Sequence, residues 1–490
     1  MLQHSIPPIL AMKIALIASE VTPFAKTGGL ADVLGTLSVA LQRLGHELCV
    51  IAPAYRCVLR GEFRLEETAL ELTVPVSDRQ TPGSVLRASI GMGISVYFIR
   101  ADAYFDRDEL YGTAQGDYPD NAERFTFFSR AALELLRRQP VDVIHCHDWQ
   151  AALAVIFLKT QADDFPELAA AKTVFTIHNL GFQGIFDQVH WPLLNLDAAY
   201  FTPRFLEFFS SINLLKGALI FADKITTVSP SYAEEIMTAE QGFGLDGVLR
   251  ERAADLVGIL NGVDYSIWNP WTDPFLAHHY NEESLTGKRD CKTELRQAAG
   301  LPDVSGTPVL GMITRLTQQK GIDLVEAIFA ALMERNVQLA LLGNGEPRFE
   351  NFFRAAAARY PDRVAVRIGF DESLAHRIEA GADLFLMPSL YEPCGLNQMF
   401  SLKYGTIPIV RAVGGLIDTV QDYNAQAQTG TGFVVQTHTA QAVLDAVDRG
   451  LAAFNEKETW HALRRRAMSM DFSWERSARV YSGLYQQLAT

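Results

Sequence analysis

Short β-branched runs alternate with amphipathic stretches along nearly the whole chain, and this alternation restricts the fold more than any single motif. Lys13 to Ala18 is followed by a helical pattern from about Leu30 to Leu44 and then by Leu48 to Ala52. Similar runs recur at Val141 to His145, Thr173 to Ile177 and Lys224 to Val228, each followed by a loop or a helical pattern. Repeated strand–helix units imply a parallel sheet, because a parallel neighbour is reached only by a crossover.

A second series runs through Val309 to Ile313, Gln338 to Leu342, Val364 to Ile368, Leu384 to Met387 and Ile407 to Val410. Two α/β domains are therefore expected, and 490 residues exceed what one hydrophobic core usually serves. Between the series, Leu256 to Trp271 and the polar stretch His278 to Asp290 carry Asn261-Gly262 and several prolines, as a junction would. The expected division is 12–255 for the first domain, 256–471 for the second, and an amphipathic helix over 472–490 that packs back on the first. Residues from about 60 to 118 break the alternation and read as an insertion with an aromatic, acidic loop from Tyr104 to Tyr118.

With 43 basic against 57 acidic residues the formal charge is −14, which argues against a general nucleic-acid or anionic-membrane surface. Any anionic ligand must then be met by a local basic cluster. Five cysteines, odd in number and without a CxxC pair, suit a reducing cytoplasm rather than a disulfide framework. Met1 to Ala11 lacks a basic region and has only a short apolar patch broken by Pro7 and Pro8, unlike a secretory signal, and Met12 is a candidate start. No apolar run approaches bilayer-spanning length.

Chemistry concentrates where strands give way to helices. Lys26-Thr27-Gly28-Gly29-Leu30-Ala31-Asp32-Val33 offers a glycine turn, a positive helix end and a mobile cation, parts that suit a phosphate. Taken alone, such a turn is as often an ordinary tight connection. A second glycine pair, Gly414-Gly415 in Val413 to Val420, repeats the idea and suggests two similar domains.

Arg315 lies just beyond a strand and Lys320 one short loop later. Together they could neutralise a pyrophosphate leaving group; the bland alternative is a pair of solvated cations. In Ser389-Leu390-Tyr391-Glu392-Pro393-Cys394-Gly395-Leu396-Asn397, backbone N–H groups of Cys394, Gly395 and Leu396 would face outward. Glu392 could there accept hydrogen bonds from hydroxyls or equally act as a helix cap. His145-Cys146-His147-Asp148, Ile177-His178-Asn179 and Leu260-Asn261-Gly262 lie in comparable loops, without the fuller ligand set of a metal site. Asp106-Arg107-Asp108 reads as a solvated charge run.

KTGGLADV, HDWQA, IHNLGFQG, LNGVD, ITRLTQQKG and YEPCGLNQ occur in the order and spacing of bacterial and plant glycogen/starch synthases, and the chain resembles that family from Met12 to its final helix. The resemblance implies the GT-B arrangement, two Rossmann-like domains facing an interdomain cleft. It also implies an ADP-glucose donor, an α-1,4-glucan acceptor, transfer with retention, and neither metal nor cofactor. Lys26, Gly28 and Gly29 would meet the donor phosphates, with Asp32 supporting the turn or contacting the donor. Arg315 and Lys320 would clamp the diphosphate, and Glu392, Cys394, Gly395, Leu396 and Asn397 would hold the donor sugar. His178, Asp148 and Asn261 would line the reacting face. Phe370 stands where bacterial members often carry an aromatic beside the adenine. Related transferases for other donors often place a second glutamate where this chain has Phe400.

Overall fold

A computed structural model describes residues 10–113 and 115–489. The expectation for the segment from Met1 to Ala11 falls over residues 1–9 outside the described residues, as do Ala114 of the aromatic loop and Thr490 at the end of the expected last helix. The chain divides into two compact units. The first comprises residues up to Val228, Ala233–Gly262 and Trp474 onward; the second comprises Ser229–Tyr232 and Val263–Ser473.

The first unit is built on nine strands. Across the sheet they run Leu256–Gly258, Lys224–Thr227, Lys172–Ile177, Val143–His147, Lys13–Ile17, Glu47–Pro53, Ile94–Arg100, Arg79–Ile90 and Glu66–Val76. The first seven are mutually parallel and the last two antiparallel. Numbered along the chain, the parallel strands take the doubly wound order 3-2-1-4-5-6, extended by one. Ile94–Arg100 is thus a regular member of the sheet, and the departure expected over residues 60–118 comprises one antiparallel hairpin before it and, after it, a loop with its own two-stranded sheet, Gly112–Thr113 against Gly116–Asp117. Leu256–Gly258 pairs with Lys224–Thr227, which carries the first unit a few residues past the expected boundary, to Gly262.

Apolar strands buried on both faces demand helices on both sides. Helix Gly29–Arg43 meets one face through Leu30, Val33, Leu34, Leu37 and Leu41, while Asp148–Thr160 is buried almost all round. The final helix, Trp474–Ala489, buries Trp474, Ala478, Tyr481 and Tyr485 at helical spacing. Ser482 Oγ sits 2.8 Å from His46 Nε2, and the Tyr485 hydroxyl 2.8 Å from His145 Nδ1.

Six parallel strands form the second unit, in the order Val364–Ile368, Gln338–Gly343, Val309–Ile313, Leu384–Met387, Ile407–Arg411 and Phe433–Val435. Again the order is 3-2-1-4-5-6. In each sheet the order reverses beside the first strand, and open α/β sheets bind ligands at the carboxyl ends of the strands on either side of that reversal. In the first unit this crevice lies between Lys13–Ile17 and Val143–His147; in the second, between Val309–Ile313 and Leu384–Met387. Among the described residues no helix is long and apolar enough to cross a membrane.

Candidate functional site

Glu20 follows the first strand into the first unit's crevice and is nearly buried, at 3% exposure. Its carboxylate accepts the Thr27 N–H and hydroxyl, both at 2.6 Å, the Gly28 N–H at 3.2 Å and the Tyr111 hydroxyl at 2.6 Å. The N–H of Gly28, which the sequence suggested would face a phosphate, is therefore already occupied. Glu20 carried no recognisable motif; its place just past a strand end was the available signal. What the turn leaves open is space: a Cβ at Gly28 would meet nothing within 4 Å. Lys26 Nζ donates to Asp32 Oδ1 at 2.8 Å, and Thr22 Oγ1 donates to the same oxygen at 3.2 Å.

Across that crevice Asp148 opens its helix in the left-handed region, φ 56°, a conformation that short polar side chains tolerate better than most. Its Oδ1 accepts the His178 N–H at 2.8 Å, tying the ends of two neighbouring strands. Burial pushes the Asp148 carboxyl up to about 7, and the Glu20 charge adds to this against hydrogen bonds from the His178 and Asn179 backbone. Burial lowers His178 to about 3, so its imidazole is neutral at physiological pH. His178 Nε2 lies 3.0 Å from His147 Nδ1, a partner that sequence reading did not assign. His147 is itself held neutral by burial and by the neighbouring His145 and His178. His145 faces away into the core, 2.5 Å from Thr176 Oγ1. Asn261 is buried in the same unit, its Oδ1 without a partner among the described residues.

In the second unit the two loops flanking the crevice meet through charge. Lys320 Nζ lies 2.8 Å and 2.6 Å from the two Glu392 carboxylate oxygens, and Ser389 Oγ donates to Glu392 Oε2 at 2.9 Å. Arg315 is exposed, with one guanidinium nitrogen on Gln319 Oε1 at 3.1 Å. Asn397, first residue of helix Asn397–Tyr404, donates its side-chain amide to the Ile313 carbonyl at 2.6 Å. Ahead of that helix Gly395 is left-handed, φ 72°, and Cys394 is buried. Among the described residues the N–H groups of Gly395 and Leu396, at the positive end of that helix, make no hydrogen bond. Phe370 is 83% exposed, on a turn after Gly369.

The second glycine pair serves another purpose than the first. A Cβ at Gly414 would lie 2.1 Å from the Glu392 carbonyl oxygen, and one at Gly415 2.1 Å from that of Cys394. Gly414-Gly415 thus lets the Glu392–Cys394 loop rest directly on backbone. The charge run is also differently disposed: Arg56 binds Asp106 at 2.6 Å and also pairs with Asp108, while Arg107 binds Asp120 at 2.5 Å. Asp106 and Arg107 pin the aromatic loop, while Asp108 stays exposed.

Two doubly wound units whose crevices hold cations, a buried carboxylate, neutral histidine and an open helix end define a glycosyltransferase that takes its sugar from a nucleotide. The family model for the starch synthase catalytic domain matches residues 13–251, and that for group 1 glycosyl transferases matches 293–467. Glycogen synthase of Koribacter versatilis is 47% identical over 478 residues, covering 97% of this chain and 98% of its own; that of Anaeromyxobacter dehalogenans is 48% identical over 483 residues, covering 98% and 100%. The catalytic domain of starch synthase IV from Arabidopsis thaliana, solved with ADP and acarbose bound, superposes with a TM-score of 0.90 at 36% identity, covering 98% of this chain and all of that one. This chain belongs to the glycogen synthase family.

Proposed function

We propose that the protein transfers glucose from ADP-glucose to the non-reducing end of an α-1,4-glucan, with retention at the anomeric carbon, in the cytoplasm. The observation that carries this reading is the Lys320–Glu392 pair at the carboxyl ends of the strands where the second sheet reverses, beside the open N–H groups of Gly395 and Leu396. Lysine and Arg315 supply positive charge for the diphosphate, and Glu392 with the helix end supplies acceptors and donors for glucose hydroxyls. ADP and acarbose in the Arabidopsis relative support the pairing of a nucleotide with a glucan-like sugar.

The anomeric carbon–phosphate oxygen bond breaks as the bond to the acceptor 4-oxygen forms on the same face, and the departing ADP oxygen takes the acceptor proton. No protein nucleophile is required, unlike a retaining hydrolase with its two flanking carboxylates. Stabilising the leaving diphosphate then provides most of the acceleration, a role for Lys320 and Arg315. We assign neutral His178 to hydrogen bonding of the transferred glucose, Asp148 to orienting His178 through its backbone, and Asn261 to the reacting face. Lys26, held by Asp32, meets the phosphates, Gly28, with Gly29 beside it, leaves the space for their approach, and Phe370 stacks on adenine.

Incubating the purified protein with ADP-glucose and glycogen is expected to release ADP and lengthen chains in equal amounts. ADP-glucose consumption without chain growth, or no reaction with any nucleoside diphosphate glucose, overturns the reading.

A further inference from the structure

His145, His147, Thr176 and His178 lie on one face of the first sheet. Strand Val143–His147 pairs in parallel with Lys172–Ile177 so that His147 stands opposite Thr176. Alternate residues share a face, which puts His145 behind His147 and His178 just past the end of the neighbouring strand. His145 is satisfied at both nitrogens, by the Tyr485 hydroxyl at 2.8 Å and by Thr176 Oγ1 at 2.5 Å. Its ring centroid is 4.1 Å from that of His147, so the anchored ring backs the next one.

His147 is placed differently. It is fully buried, and its one hydrogen-bond partner among the described residues is His178, with Nδ1 3.0 Å from His178 Nε2. Its own Nε2 is shut off from solvent without a partner. An apolar side chain would fill such a position without leaving a buried nitrogen unpaired, a defect that lowers stability. What histidine adds there is the contact with His178.

Both rings are neutral, so a single proton lies between His147 Nδ1 and His178 Nε2. Placed on His178, it obliges His147 to carry its own proton on Nε2, a buried N–H with no acceptor. Placed on His147, it leaves a bare nitrogen there instead. By analogy with backbone groups the orphaned donor is the rarer defect, so His147 donates and His178 keeps its proton on Nδ1. That nitrogen makes no hydrogen bond among the described residues, and His178, unlike His147, is partly open to solvent.

We propose that His147 is a positioning residue for glucosyl transfer: it donates from Nδ1 to His178 and fixes that ring and its tautomer, so that His178 Nδ1–H donates to a hydroxyl of the bound glucose. The inference rests on the transfer reaction proposed above and on the sugar contact given there to His178.

Nitrogen-15 spectra of the full chain labelled at histidine test the tautomer, with His178 assigned by the signals lost in His178→Gln. Wild type is expected to show His178 protonated on Nδ1 and bare at Nε2; the reverse overturns the proposal. His147→Leu is expected to lower kcat/KM for ADP-glucose about tenfold or more, while ADP, which carries no glucose, binds within about twofold of wild type and Tm does not fall. Unchanged kcat/KM in His147→Leu, beside a wild type that transfers glucose, overturns the positioning role alone. Loss of ADP affinity in step with kcat/KM would make His147 a structural residue and overturn that role equally. A wild type that transfers no glucose from ADP-glucose instead overturns the reaction on which the role rests, whichever nitrogen of His178 holds the proton.

Discussion

Lys320 and Glu392 form a two-point ion pair across the second sheet's crevice, with Nζ 2.8 Å and 2.6 Å from the two carboxylate oxygens and both side chains largely buried. The carboxylate is the lysine's partner, so a diphosphate bound as proposed would share or redirect a cation already in place. On the proposed reading, that arrangement would hold the cation ready near the leaving group and neutralise a carboxylate that would repel a phosphate.

Removing one member of such a pair leaves the other buried and uncompensated. Lys320→Ala is expected to lower kcat by about 10² or more and also to lower Tm, through a loss of about 3–5 kcal/mol. Lys320→Ala combined with Glu392→Ala is expected to regain part of the Tm and none of the activity. Scanning calorimetry with a steady-state ADP-release assay measures both. Wild-type turnover in Lys320→Ala would remove the lysine from the mechanism.

The first glycine turn separates two roles that the sequence merged. Lys26 and Asp32 pair at 2.8 Å with the lysine about half exposed, so Lys26→Ala should cost under about 1 kcal/mol while raising the KM for ADP-glucose. Glycogen affinity should be unchanged. Glu20→Ala differs, because it removes the one oxygen that accepts both the Thr27 and the Gly28 N–H groups. Both Tm and donor KM are expected to worsen. Equal loss of donor and glucan affinity in Lys26→Ala would make the turn a structural joint only.

Both parallel sheets were legible from the alternation, because buried strands and amphipathic helices leave unlike periods in the sequence. The run from Val141 was misplaced by two residues. Asp142 spends its carboxylate on the Lys13 N–H at 2.7 Å, a long-range capping contact that leaves no local pattern, and the strand begins at Val143. The two glycine pairs look alike in sequence but meet different surroundings, open space at Gly28 and carbonyl oxygens 2.1 Å away at Gly414 and Gly415. Glu20 was illegible because its partners arrive from the turn and from Tyr111, 91 positions along the chain. Motif residues such as Lys320 and Glu392 were legible one by one, but their mutual pairing was not.

Stability should depend on pH in two opposing ways around the first crevice. The unfolded chain protonates histidine near 6.5, whereas folded His145 and His178 resist protonation down to about 3. Their contribution is complete above pH 6.5 and is lost as pH falls toward 3. Asp148 acts oppositely: folded, it keeps its proton up to about pH 7, while the unfolded chain loses it near 3.8, so acidification through that window favours the fold. Asp148→Asn is therefore expected to steepen the fall of Tm between about pH 7 and pH 4, and His178→Gln to shallow it. Tm followed across that range in the two variants checks both slopes; an acid limb unchanged in Asp148→Asn would mean that the carboxyl ionises normally.

Phe370 is 83% exposed, the one site residue with a large apolar surface given to water. Among the described residues no ring contact is made by that side chain, so Phe370→Ala should leave Tm within the scatter of surface substitutions, about 0.5 kcal/mol. Stacking on a base is worth roughly 1–3 kcal/mol when lost to alanine, by analogy with aromatic stacking on nucleic-acid bases, so the KM for ADP-glucose should rise about fivefold to a hundredfold with kcat little changed. Phenylalanine offers a face but no hydroxyl, so it favours a purine by area rather than by hydrogen bonding. The preference for ADP-glucose over UDP-glucose is then expected to shrink in Phe370→Ala. Unaltered KM values for both donors would detach Phe370 from the base and leave its exposure to serve some other contact.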